Sequence, residues 1–84
     1  MNFRNGHYLT AQEVRDKLHI PYSKINYYTN LGFFSIVRKD GNRRIYDRKE
    51  VEDRYRVISQ LANEGYPLGL IRKKILGRVS NELL

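Results

Sequence analysis

Apolar positions recur along the chain with a helical period in four stretches and with strand-like character in two. Ala11, Val14 and Leu18 fall on one face of a helix whose start is marked by Thr10-Ala-Gln-Glu13. At that spacing the threonine hydroxyl accepts from the glutamate amide while the glutamate side chain reaches back to the threonine amide, a capping box. A second helix is predicted from Pro21, which suits a helix start because it has no amide hydrogen to leave unpaired, to Leu31, with Gly32 as its stop. Only His19-Ile20 separates the two, and two short helices joined so tightly read as a helix-turn-helix. Phe33 to Val37 and Arg43 to Tyr46 are β-branched or aromatic runs flanking Lys39-Asp40-Gly41-Asn42, where Asp-Gly-Asn accepts the positive φ of a hairpin turn. Asp47 with Glu50 reads as another capping-box start, and Val51, Tyr55, Ile58 and Leu61 keep helical spacing until Gly65. Pro67 opens a last helix carrying Leu68, Ile71 and Ile75 on one side, with Gly77 as its expected stop and 77–84 as a tail or the start of a further helix. The expected fold is mostly α: a winged helix-turn-helix of about four helices with a two-stranded β-hairpin wing, one domain over residues 1–84 with its core in 8–76.

Length and composition agree with that reading and narrow its uses. A chain of 84 residues has room for one modest core, and a 40% hydrophobic content with seven tyrosines suffices to pack it. Sixteen Lys and Arg against nine Asp and Glu leave a net charge of +7, which favours a polyanionic partner, nucleic acid ahead of an anionic membrane surface. No apolar run approaches the roughly 20 residues that span a bilayer, and Met1 to Thr10 has no secretion-signal pattern, so the expected location is cytoplasmic, associated with the nucleoid. The absence of cysteine excludes disulfides and thiolate chemistry, and with only His7 and His19 as soft ligands no metal or other cofactor is expected.

The candidate chemistry lies on the second helix and the wing. Projected at about 100° per residue, Ile25, Tyr28 and Leu31 separate from Tyr22, Ser23, Asn26, Tyr27 and Asn30, with Lys24 at the margin. The first set is expected in the core. The second, rich in hydroxyls, amides and aromatic rings, suits a major groove, where Asn bonds adenine edges and Ser or Tyr reaches phosphates. Half the residues from Arg38 to Lys49 are basic and surround a hairpin tip, so Arg38, Lys39, Arg43 and Arg44 are candidate phosphate contacts. The competing reading is an edge hairpin kept soluble by its charge. Arg43 and Arg44 occupy adjacent strand positions and point to opposite faces. One is therefore expected to meet phosphate or minor groove while the other supports the wing or pairs with an acid. His19, beside Ile20 in the turn, is expected to be a partly buried packing residue. Tyr55 and Tyr66 are expected at the core edge. No Ser, His and acid cluster and no phosphate-cradling glycine loop is present, so no enzymatic role is expected.

Ile25-Asn26-Tyr27-Tyr28, Gly32-Phe33-Phe34, Gly41-Asn42-Arg43-Arg44-Ile45-Tyr46 and Glu64-Gly65-Tyr66-Pro67-Leu68, in that order, resemble the DNA-binding domain of MerR-family regulators over about Tyr8 to Leu76. The resemblance assigns Tyr27, Arg43 and Arg44 to DNA contacts and has Tyr46 buttressing the wing or touching the backbone. Asn26 stands where the family usually has Arg, and Thr29 where it usually has Glu, so contacts from this helix are expected to differ. In similar proteins the fourth helix leads into a dimerisation helix and an effector domain. This chain ends about where the dimerisation helix would begin, which reads as an excised domain or a minimal DNA binder. The expectation is a sequence-specific binder of double-stranded DNA, a bacterial transcriptional regulator, homodimeric through elements outside or at the end of this chain. An architectural role in plasmid partition, chromosome anchoring or excision is the alternative on the same fold. A different class of reading is a protein-interaction module docking through the last helix and Leu83-Leu84, or a basic amphipathic surface formed there by Arg72, Lys73 and Lys74 opposite Ile71 and Ile75.

Overall fold

A computed structural model describes residues 6–83, and side chains over 6–77. The elements run in the order β1 (Tyr8–Thr10), α1 (Ala11–Leu18), α2 (Tyr22–Asn30), β2 (Ile36–Asp40), β3 (Arg43–Asp47), α3 (Arg48–Asn63) and α4 (Leu68–Leu83). The chain is a winged helix-turn-helix, mostly helical, with one strand more than the sequence predicts. Three-residue β1 adds to the free side of the hairpin, giving an antiparallel sheet in the order β1-β3-β2. A strand so short carries no periodicity of its own; it is defined by its pairing with β3.

Local chemistry places the helix boundaries. The capping box of α1 is complete: Glu13 donates its amide to Thr10 Oγ1 at 3.1 Å, and Thr10 donates its amide to Glu13 Oε1 at 2.8 Å. α1 ends in a turn where His19 adopts φ 58°. α2 ends in a Schellman motif, with Gly32 (φ +92°) donating to Thr29 O and Phe33 donating to Tyr28 O at 2.9 Å. The usual apolar contact of that motif is the Phe33 ring standing edge-on to Tyr28, 5.7 Å between centroids. Phe33 and Phe34 are therefore core plugs rather than strand residues, and β2 starts later than their composition predicts, at Ile36. α3 lacks the predicted capping box, since Asp47 caps nothing with its side chain. Glu50 instead accepts from the Ser35 amide at 2.8 Å and hydroxyl at 3.1 Å, tying the first turn of α3 to the approach to β2. α4 continues through Gly77 to Leu83. Leu84 lies outside the described residues, as does the Leu83 side chain.

The core gathers Val14 of α1, Ile25 and Tyr28 of α2, Phe33, Phe34, Tyr46 of β3, Val51 and Ile58 of α3 and Ile71 of α4. Tyr28 is its hub, with edge-on contacts to both phenylalanines and a tilted one to Tyr55. Tyr55 and Tyr66 sit at the core margin. The backbone angle at Gly32 calls for glycine, and a Cβ there would lie 3.2 Å from Leu76 Cδ1 of α4, which would have to give way by a few tenths of an ångström. No helix among the described residues is long and apolar enough to cross a membrane.

Candidate nucleic-acid interface

α2 buries Ile25 and Tyr28 and leaves Tyr22, Ser23, Lys24, Asn26, Tyr27 and Asn30 exposed. Tyr22 and Tyr27 keep 42% and 50% of their surface open, a large apolar and hydroxyl area for a helix flank. Beside this face stands the wing, its strands joined by the two residues Gly41 and Asn42. Between wing tip, α2 and the start of α1 lies an open cleft of about 310 Å³. Tyr22 and Asn26 line one wall, Asn42, Arg43 and Arg44 another, and Thr10 to Gln12 the end. Gln12 and Asn42 were not legible as site residues, because their membership depends on how the wing folds back over the first helix. Arg15 joins the same region, its guanidinium 4.8 Å from the centre of the Tyr22 ring.

Strand alternation separates the two central arginines. Arg43 is exposed. Arg44, half-buried, points toward α2 and donates to Asn26 Oδ1 at 2.6 Å and to the Tyr46 hydroxyl at 3.3 Å. It supports the wing through an amide and a phenol rather than an acid. Tyr46 has no exposed surface. As a direct contact it is thereby corrected: the ring fills the core and its hydroxyl lies 2.9 Å from Thr29 Oγ1. Arg38 is paired in register with Ile45 on the sheet face away from α2, and Lys39 faces Arg44 across the hairpin. Val37 is the extra residue of a bulge between Ile36 and Arg38. Ile45 is fully buried although it lies on the outer face, where it lines a shallow pocket with Tyr8, Val37 and Arg38. His19, expected to be partly buried, is exposed, because its positive φ turns the side chain out of the bend.

The charges are sorted as well. The ion pairs Arg15–Asp16, Lys17–Glu52, Arg48–Glu52, Lys49–Asp53 and Arg56–Asp53 all lie on α1 and α3. Among the described residues no ion pair engages Lys39 or Arg43. The close ion pairs thus gather on α1 and α3, while at the wing tip Arg43 has Asp40 as its register partner across the hairpin.

The sequence model of the MerR HTH family of regulatory proteins matches residues 9–77, from β1 into α4. Neither the curated proteins nor the solved structures returned a match.

Proposed function

The chain belongs to the MerR family of helix-turn-helix regulators, non-enzymatic DNA-binding proteins of transcription, and from that premise we propose that it binds double-stranded DNA sequence-specifically with α2 in the major groove and the wing on flanking backbone. The observation that carries this reading is the cleft in which the exposed polar face of α2 and the exposed wing cation Arg43 meet. α2 supplies base contacts from Asn26, Ser23 and Tyr27. Lys24, Tyr22, Lys39, Arg38 and Arg43 supply affinity through phosphates, since backbone contacts position a protein and base contacts specify the site. The chain acts as one domain in the bacterial cytoplasm, associated with the nucleoid. It works as a homodimer through α4 or through elements outside this chain, a role for α4 that its half-exposed Leu70 supports.

Binding to a selected duplex and to a scrambled one, measured across salt concentrations, tests the assignment. Arg43→Ala should weaken binding to both duplexes about equally and reduce the salt slope by about one unit for the lost phosphate contact. Unchanged affinity for both would remove the wing from the interface. Selection from a random pool tests the assembly: an inverted repeat supports a dimer, and a single short site opposes it.

A further inference from the structure

An asparagine side chain has two chemically opposite ends, and the base it reads depends on which end faces the groove. With both free it bonds adenine bidentately, accepting from N6 and donating to N7. Asn26 is not free to turn either end outward, because one of the two lone pairs of its oxygen is engaged. Its Oδ1 accepts a 2.6 Å bond from Nη1 of Arg44. A guanidinium carries donors and no acceptor, so it dictates the orientation of the amide: reversal would set Nδ2 against a cation.

Arg44 is itself held. The second hydrogen of Nη1 goes to the Tyr46 hydroxyl at 3.3 Å. Thr29 donates its hydroxyl hydrogen to the Ile25 carbonyl at 2.7 Å. The 2.9 Å contact between Thr29 and Tyr46 therefore has Tyr46 as donor, and the Tyr46 oxygen keeps its lone pairs for Arg44. Donation runs in one direction, from Arg44 through Tyr46 and Thr29 to the backbone of α2, with the Tyr46 end sealed in the core. Every member of the chain opposes rotation of the Asn26 amide.

We infer that Arg44 is a positioning residue that locks Asn26 with its Oδ1 toward the wing and its Nδ2 outward, so that α2 presents amide donors that select guanine over adenine at the base pair they meet. This rests on the placement of α2 in the major groove. Guanine offers two adjacent acceptors, N7 and O6, to the Nδ2 hydrogens. Adenine sets a donor beside its N7, and cytosine offers only a donor.

Sequences selected from a random duplex pool by the wild type, Arg44→Met and Asn26→Asp test the lock. The wild type should carry one position where guanine exceeds adenine by about fivefold or more, the lower bound for a good pair of base contacts. Arg44→Met frees Oδ1, so that position alone should move to adenine while the rest of the site stays. Asn26→Asp, which retains a partner for Arg44 and hence the fold, should lose the guanine preference because it has no donor. Thermal melts identify a variant that fails to fold, and if Arg44→Met does so, Asn26→Asp decides. A guanine preference unchanged in the folded variants overturns the lock. So does a wild type without base preference there whose Arg44→Met variant loses affinity equally on all duplexes, which would put Arg44 on a phosphate. A wild type that binds no duplex fails earlier, at the groove placement itself, and that result is distinct from both.

Discussion

Residue 19 carries the least comfortable backbone of the described chain: His19, at φ 58°, is its one non-glycine residue with positive φ. An L-residue there costs roughly 1–2 kcal/mol, and glycine removes that cost while adding about 0.4–1 kcal/mol of unfolded-state entropy. His19→Gly should therefore stabilise by about 0.5 kcal/mol, seen as a melting temperature higher by roughly 2–4 °C. A lower one would show that the imidazole contributes more than its strain. The exposed side of α2 was legible at this scale, because a helix of known phase sorts its residues by angle. So was the opposition of Arg43 and Arg44, which comes from strand alternation. Their partners were not. Nothing near Arg44 in sequence indicates that Asn26, eighteen positions earlier, supplies its acceptor, or that Tyr46 reaches Thr29 instead of solvent.

At the scale of elements, α2 is the piece with the weakest means of its own. Its first turn has no side-chain cap at Pro21, and its last turn contains no basic residue. Cations from elsewhere complete it: Arg72 of α4 donates to Leu31 O at 2.7 Å, and Arg54 of α3 donates to Phe33 O at 3.0 Å. Both stand at the negative end of the helix dipole. Their partly exposed setting keeps each bond near the ordinary net value of about 0.5–1.5 kcal/mol. Arg54→Ala combined with Arg72→Ala should raise amide exchange across Tyr27 to Leu31 several-fold while leaving the middle of α3 unchanged. Equal acceleration in both helices would mean global destabilisation instead. Capping signals were reliable where the residues had no competing partner. Thr10 and Glu13 found each other, whereas Glu50 matched the same spacing yet went to Ser35. Phe33 and Phe34 look like strand residues in isolation, and it is their burial against Tyr28 that removes them from the sheet.

The whole molecule is organised around one ionisable ring. Burial pushes the Tyr28 hydroxyl above its ordinary value, and the neighbouring Tyr55 and Tyr27 add to the effect. A folded-state value raised above the unfolded one near about 10 means that the folded form holds its proton longer. The stability due to neutral Tyr28 is thus complete below that pH and falls as pH rises through and beyond it. Urea midpoints should drop between pH 8 and pH 11, and Tyr28→Phe should shrink the drop; an equal drop in both proteins would place the alkaline sensitivity elsewhere. At this scale fold class and net charge were legible from periodicity and composition, while the third strand and the closure of the cleft were not, since both depend on chain segments far apart in sequence. The approach of α4 to the C-terminal end of α2, through the Arg72 bond to Leu31 O and the nearness of Leu76 to Gly32, has a thermodynamic corollary. Ordering of α2 and seating of α4 share one free energy, and linkage is reciprocal. With DNA held through α2 as proposed, a ligand that binds only seated α4 raises affinity for DNA by the same factor by which DNA raises affinity for that ligand, and one that peels α4 away lowers DNA affinity.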